Sequence, residues 1–129
     1  MAGPSRSYRA QGNIPPRRFV KIVADNTVRV CVADEQADGV SHEGTEDAPI
    51  PGATQFAATD GNACRVYGLG EPCEVDAGAA VAAGASVKPD ANGKAVTATT
   101  GNRASGVAAY SATAADEHLK ITVQRFETA

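Results

Sequence analysis

Residues 78–110 read GAAVAAGASVKPDANGKAVTATTGNRASGVAAY, and this stretch decides the fold class. Two apolar runs, Ala79 to Val87 and Lys94 to Thr99, flank the turn signal Pro89-Asp90-Ala91-Asn92-Gly93. Asn-Gly suits the two positive-φ positions of a tight hairpin turn, so the spacing predicts a hairpin here. A third run, Ala104 to Tyr110, follows a second turn cluster at Thr100-Gly101-Asn102. The reading is a β-meander of small side chains: Ala, Gly, Ser, Thr and Val. No titratable groups converge within it, which fits a packing surface and not an active site.

Strand signals continue on both sides. Phe19-Val20-Lys21-Ile22-Val23 and the alternation of Val28, Val30 and Val32 with Thr27, Arg29 and Cys31 predict a hairpin over 18–32 that turns at Asp25-Asn26. Ala63 to Tyr67 and Pro72 to Val75 bracket a turn at Gly68-Leu69-Gly70-Glu71. Leu119 to Gln124 alternates cleanly, with Leu119, Ile121 and Val123 on one face and Lys120, Thr122 and Gln124 on the other. Between these strands, residues 33–62 are rich in acids, glycine and proline and read as a long irregular acidic loop. A faint echo links Asp38-Gly39-Val40-Ser41 with Ser105-Gly106-Val107-Ala108, too degenerate to establish a duplication.

The first 17 residues carry Gly, Pro, Ser and Arg without strand or helix period, and Ile14-Pro15-Pro16 favours extended backbone. The organisation expected is an extended basic arm, 1–17, followed by a single β-rich domain, 18–129. The arm is expected to order only on contact with a neighbouring surface. Charge is segregated to match: +5 over residues 1–21, −9 over 22–76 and +1 over the remainder. An arm of one sign on a body of the other suits contact between copies or with a patterned partner.

The 129 residues hold only 22 Val, Ile, Leu and Phe, while 26 are Ala, so one copy has a thin core. Oligomerisation, or docking on a large surface, would supply what the core lacks. No run approaches the ~18 apolar residues of a membrane helix, and the start MAGPSRSYRAQGNIPPRR lacks the apolar segment of a signal peptide. Cys31, Cys64 and Cys73 form no CxxC and their odd number fits no disulfide framework, although a Cys64–Cys73 bond across a hairpin is left open. Synthesis in a cytoplasm is expected.

Catalytic signatures are missing. There is no GxSxG, no P-loop and no dinucleotide fingerprint, and His42 among Glu43, Glu46 and Asp47 matches neither an EF-hand nor HExxH. Paired carboxylates could serve glycoside hydrolysis, but no Trp and few other aromatics are available as sugar platforms. His118 has no partner at catalytic spacing and reads as an exposed strand-end residue. Arginines with few aromatics on an acidic body make a poor nucleic-acid binder. The expectation is therefore no enzyme, no cofactor, no metal, no direct nucleic-acid partner and no membrane.

Arg18-Phe19-Val20-Lys21, then 78–88 (GAAVAAGASVK), 90–96 (DANGKAV), 105–109 (SGVAA) and the final alternating strand resemble the capsid cement, or head decoration, proteins of tailed bacteriophages, of the small Ala/Gly/Val-rich type. The resemblance is best over 64–124. It implies an all-β protein, a small barrel- or sandwich-like domain, on the outer surface of a phage head. There it would act commonly as a homotrimer and stabilise contacts between major capsid proteins. It implies no catalytic residues. Arg6, Arg9, Pro15, Pro16, Arg17 and Arg18 are the candidate capsid or inter-subunit contacts. The alternative is a small β-rich adhesion module of a virion or cell surface.

Overall fold

The structure, a computed structural model, describes residues 6–33, 35–42, 56–68, 70–99 and 103–127, with side chains at all of these except 6 and 125–127. It is all-β. The strands are β1 (Arg6–Ala10), β2 (Phe19–Ala24), β3 (Thr27–Val30), β4 (Gly39–Ser41), β5 (Ala63–Tyr67), β6 (Pro72–Asp76), β7 (Ser86–Pro89), β8 (Ala95–Thr97), β9 (Arg103–Ala108) and β10 (His118–Glu127). The first five close into a barrel in the order β1-β3-β2-β4-β5, and the last five form a second sheet in the order β6-β10-β9-β7-β8.

The predicted hairpin at 18–32 is present as β2–β3, with Val20 opposite Val30 and Ile22 opposite Val28. Asn26 takes the left-handed turn position at φ 54°. Side chains alternate across these strands, so Val20 and Val28 point into the barrel, where Ala10, Ile14, Ala58, Cys64 and Val66 complete the filling. A five-stranded barrel of this size is filled by side chains and leaves no lumen.

Phe19 points the opposite way from Val20. It is fully buried and joins Cys31, Ala37 and Val40 to the apolar face of the second sheet: Val75, Val87, Leu119, Ile121 and Val123. The wall of the barrel thus roofs the core of the sheet. The final strand behaves as its alternation predicts, with Leu119, Ile121 and Val123 buried and Lys120 and Gln124 exposed.

The second sheet curls until its edges meet. Ala77, immediately after β6, bridges Ala95 of β8, and Gly78 N–H donates to the Ala95 carbonyl at 2.7 Å. The rest of the β6 edge is blunted by chemistry. Ala77 N–H donates to Glu117 across the pair with β10, so by alternation positions 72, 74 and 76 face away from β10. Pro72 has no N–H, and Asp76 N–H donates to the Arg17 carbonyl at 2.9 Å. These groups blunt the β6 edge at positions 72 and 76.

Five local expectations are corrected. The arm is not separate from the domain, because Arg6–Ala10 pairs with β5 (Tyr8 opposite Cys64) and with β3. Ile14 is fully buried, and its N–H donates to Ala58 at 2.8 Å. Its apolar residues, Tyr8, Ala10 and Ile14, are too few to announce a strand locally; partners some 50 residues away supply the hydrogen bonds and the burial. The acidic loop 33–62 likewise contributes β4, inserted between β2 and β5, and the core residue Ala58. Its acidic centre, Glu43, Glu46 and Asp47, lies outside the described residues, as does Thr100-Gly101-Asn102.

The central stretch is not a simple meander, since β7 lies between β8 and β9. Its turn also differs from the expected two-residue form. Asp90 and Lys94 close the loop (Asp90 N to Lys94 O, 2.8 Å), Gly93 alone is left-handed at φ 76°, and Asp90 Oδ1 accepts from the N–H groups of Asn92 and Lys94. This is a three-residue hairpin loop with glycine at the left-handed position. Lastly, β5 and β6 do not pair: the segment between them crosses from barrel to sheet. Cys64 and Cys73 therefore belong to different sheets, and none of the three cysteines is in a disulfide.

The echoed glycines share a role. A Cβ on Gly39 would collide with the Tyr67 carbonyl oxygen and the Val66 side chain, and one on Gly106 would lie 2.9 Å from the Thr122 carbonyl oxygen. Both mark strands pressed against a neighbour's backbone.

Candidate functional site

Barrel and sheet are locked together around Asp76, at the end of β6. Its carboxylate accepts from Arg17 Nε at 2.8 Å and from Arg18 Nε at 3.4 Å, and His118 Nε2 lies 3.8 Å away. Asp76 is 8% exposed, yet its charge is matched by two guanidinium groups. Arg17 holds a left-handed backbone at φ 58°, a conformation unusual for a long side chain. The hydrogen bond from Asp76 N–H to its carbonyl fastens it there. Next to it, Ser41 Oγ accepts from Arg18 N–H at 3.0 Å and donates to the Pro15 carbonyl at 2.8 Å. Arg18 also reaches the Asn92 carbonyl at 3.2 Å, so the chain entering β2 touches barrel, sheet and hairpin loop at once.

The six candidate contact residues therefore divide. Pro15, Pro16, Arg17 and Arg18 are partly buried on the connection into β2, and both arginines spend their charge inside the chain. Arg6 and Arg9 stand on β1, opposite Val66 and Ala63 of β5, with Arg9 exposed. Asp76 was not foreseen from the sequence. Its partners are 58 and 59 positions away, and nothing beside it marks it out.

A second ionic cluster closes the start of the β3–β4 connection. Glu35 accepts from both terminal nitrogens of Arg29, at 2.9 and 2.7 Å, from Val32 N–H at 2.9 Å and from Lys21 at 3.5 Å. The Arg29 guanidinium holds the Glu35 carboxyl down at about 2. Burial pushes the nearby Cys31 thiol up to about 12, where it is no nucleophile. His42 stacks on Tyr67 with centroids 5.4 Å apart. Among the described residues no three His, Cys, Asp or Glu side chains converge to hold a metal, and no helix is long and apolar enough to cross a membrane.

The remaining feature is the outer face of the second sheet. Lys120 and Thr122 of β10 point outward, with Glu74 and Pro72 of β6 opposite them. Val107 of β9 and Ala109, just past its end, lie on the other side. A shallow, mainly apolar groove of about 330 Å³ runs here, with Tyr110 at its rim. Tyr110 is 62% exposed, and Lys120 Nζ stands 5.4 Å from the centre of its ring.

The fold is that of a compact all-β protein of one barrel and one curled sheet, with no metal-binding cluster among the described residues. Its structure is similar to that of the head fiber gp8.5 N base of bacteriophage phi29, with a TM-score of 0.57 and 19% sequence identity over 97% of each chain. The likeness establishes the fold along both chains. No protein-family model matches the sequence, and no curated protein matches it closely.

Proposed function

We propose that this chain is a structural protein of a tailed-phage head, bound to the outer surface of the shell, where it stabilises contacts between major capsid proteins. The observation that carries this reading is the end-to-end likeness to a head fiber base. The sequence resemblance to head decoration proteins points the same way, and the two rest on different information: motif order in one case, backbone geometry in the other. The thin core and the partly blunted β6 edge suit a module that works by many modest surface contacts. In this reading the chain acts without chemistry, as a small cyclic oligomer whose linked contacts raise avidity by ~10²–10⁴ over one copy. Arg9, exposed on the barrel wall, is an arginine well placed to meet an acidic shell surface.

The test is addition of the purified chain to heads that lack it. Saturable binding to expanded heads, with decorated heads retaining DNA to higher temperature than bare ones, supports the proposal. Equal thermal and osmotic stability of bare and decorated heads removes the reinforcing role. Because the structural neighbour is the base of a fiber, that result with binding intact would leave an anchoring or adhesion module as the reading. No binding to heads at all would overturn the head assignment.

A further inference from the structure

The outer face of the second sheet carries an ionic arrangement that the single chain does not complete. Glu74 and Lys120 are direct cross-strand neighbours, and such pairs ordinarily satisfy each other when opposite in charge. Here they do not. Lys120 turns to the Tyr110 ring, and among the described residues Glu74 has no hydrogen-bond or ion-pair partner. The two charges flank a mainly apolar groove floored by Pro72, Thr122 and Ala109. Glu74 is partly buried although no described side chain pairs with it.

We propose that this face is the contact between copies of the chain, with Lys120 of one copy against Glu74 of the next and Tyr110 packed over the groove. A second copy is the occupant that fits, because the face carries both signs side by side and is complementary to itself. Because Glu74 and Lys120 are cross-strand neighbours, a two-fold axis through the face sets Lys120 of each copy against Glu74 of the other, the isologous contact of a dimer. Edge-to-edge pairing along β6 is hindered by Pro72, by the Asp76 N–H already given to Arg17 and by the Ala77–Ala95 bridge, which favours a face-to-face contact. The proposal deepens the self-association part of the reading above and is tested on the free chain, so that its failure leaves head binding to be judged separately.

The experiment is sedimentation of the full chain over a range of micromolar concentrations, with Glu74→Lys, Lys120→Glu and the double exchange. Each single reversal sets like charges against one another and is expected to weaken association at least about tenfold; the double exchange restores opposite pairs and is expected to recover it to within about threefold. Far-ultraviolet circular dichroism establishes that all variants fold, and Thr122→Arg, which blocks the groove without touching the pair, should also dissociate the oligomer. A wild-type chain monomeric at about 100 μM overturns the proposal. So do single reversals that associate as the wild type does, or a double exchange no tighter than the singles. Reversals that abolish head binding but leave the oligomer intact would assign the face to the shell and likewise overturn it.

Discussion

Replacement of Asp76 by Ala tests whether the junction between barrel and sheet is held electrostatically. The variant removes a good charge-assisted hydrogen bond of 2.8 Å to Arg17 and a long one of 3.4 Å to Arg18. The first is worth about 1.5–3 kcal/mol and the second well under about 1. Breaking a fully buried pair costs about 3–5 kcal/mol, because the surviving charge is stranded. That ceiling does not apply here: the arginine side chains are 21% and 18% exposed, so water relieves part of the loss, and Arg18 keeps its bond to Asn92. The expected destabilisation is about 2–3 kcal/mol, or about 6–12 °C in Tm for a chain of this length.

Urea melts should show a lower midpoint at unchanged slope, because the same surface is exposed on unfolding. In a cycle with Arg17→Ala, the double variant should be more stable than the sum of the single losses predicts, by about 1–2 kcal/mol. Moderate salt should leave most of this coupling intact, since the pair is partly shielded from solvent. A loss below about 0.5 kcal/mol, or strict additivity with Arg17→Ala, would refute the reasoning and make Asp76 an ordinary surface acid.

Phe19→Ala should cost about 3–5 kcal/mol in denaturant melts, because Phe19 is fully buried and ties the barrel wall to the sheet core. Glu35 contributes a pH dependence of definite sign. Its carboxyl is lowered from 4.5 to about 2, so its stabilisation is complete above 4.5 and is lost as pH falls toward 2. Glu35→Gln should therefore flatten the fall in urea midpoint over that window and leave the curve above it parallel to that of the wild type. Thiol labelling at pH 8 should modify the half-buried Cys73 first, with Cys31 and Cys64 reacting at the rate of unfolding, as judged by mass spectrometry over time in graded urea.

The sequence by itself determined those elements whose information is local. Alternation in Leu119-Lys120-Ile121-Thr122-Val123-Gln124 set which face of β10 is buried, and Asp25-Asn26 between two β-branched runs set the β2–β3 hairpin. Composition and strand patterning indicated an all-β chain with a thin core, and the buried residues agree: many of them are Ala and Val, with Phe19 the largest fully buried side chain among the described residues. Only the tertiary structure decided which strands are neighbours. β9 could have paired with β8, its neighbour in the chain, but pairs with β7, and β5 leaves β6 to close the barrel on β1. Turn signals specify where the chain reverses, whereas the pairing partner is chosen by burial and hydrogen bonds summed over the assembled sheet. For the same reason residues 6–16 read as a loose arm: β1 has almost no apolar period of its own and becomes a strand because β3 and β5 satisfy its backbone. Asp76 and the Glu74–Lys120 face were equally illegible, since their meaning lies in groups brought near across 58 and 46 positions of chain by strand register.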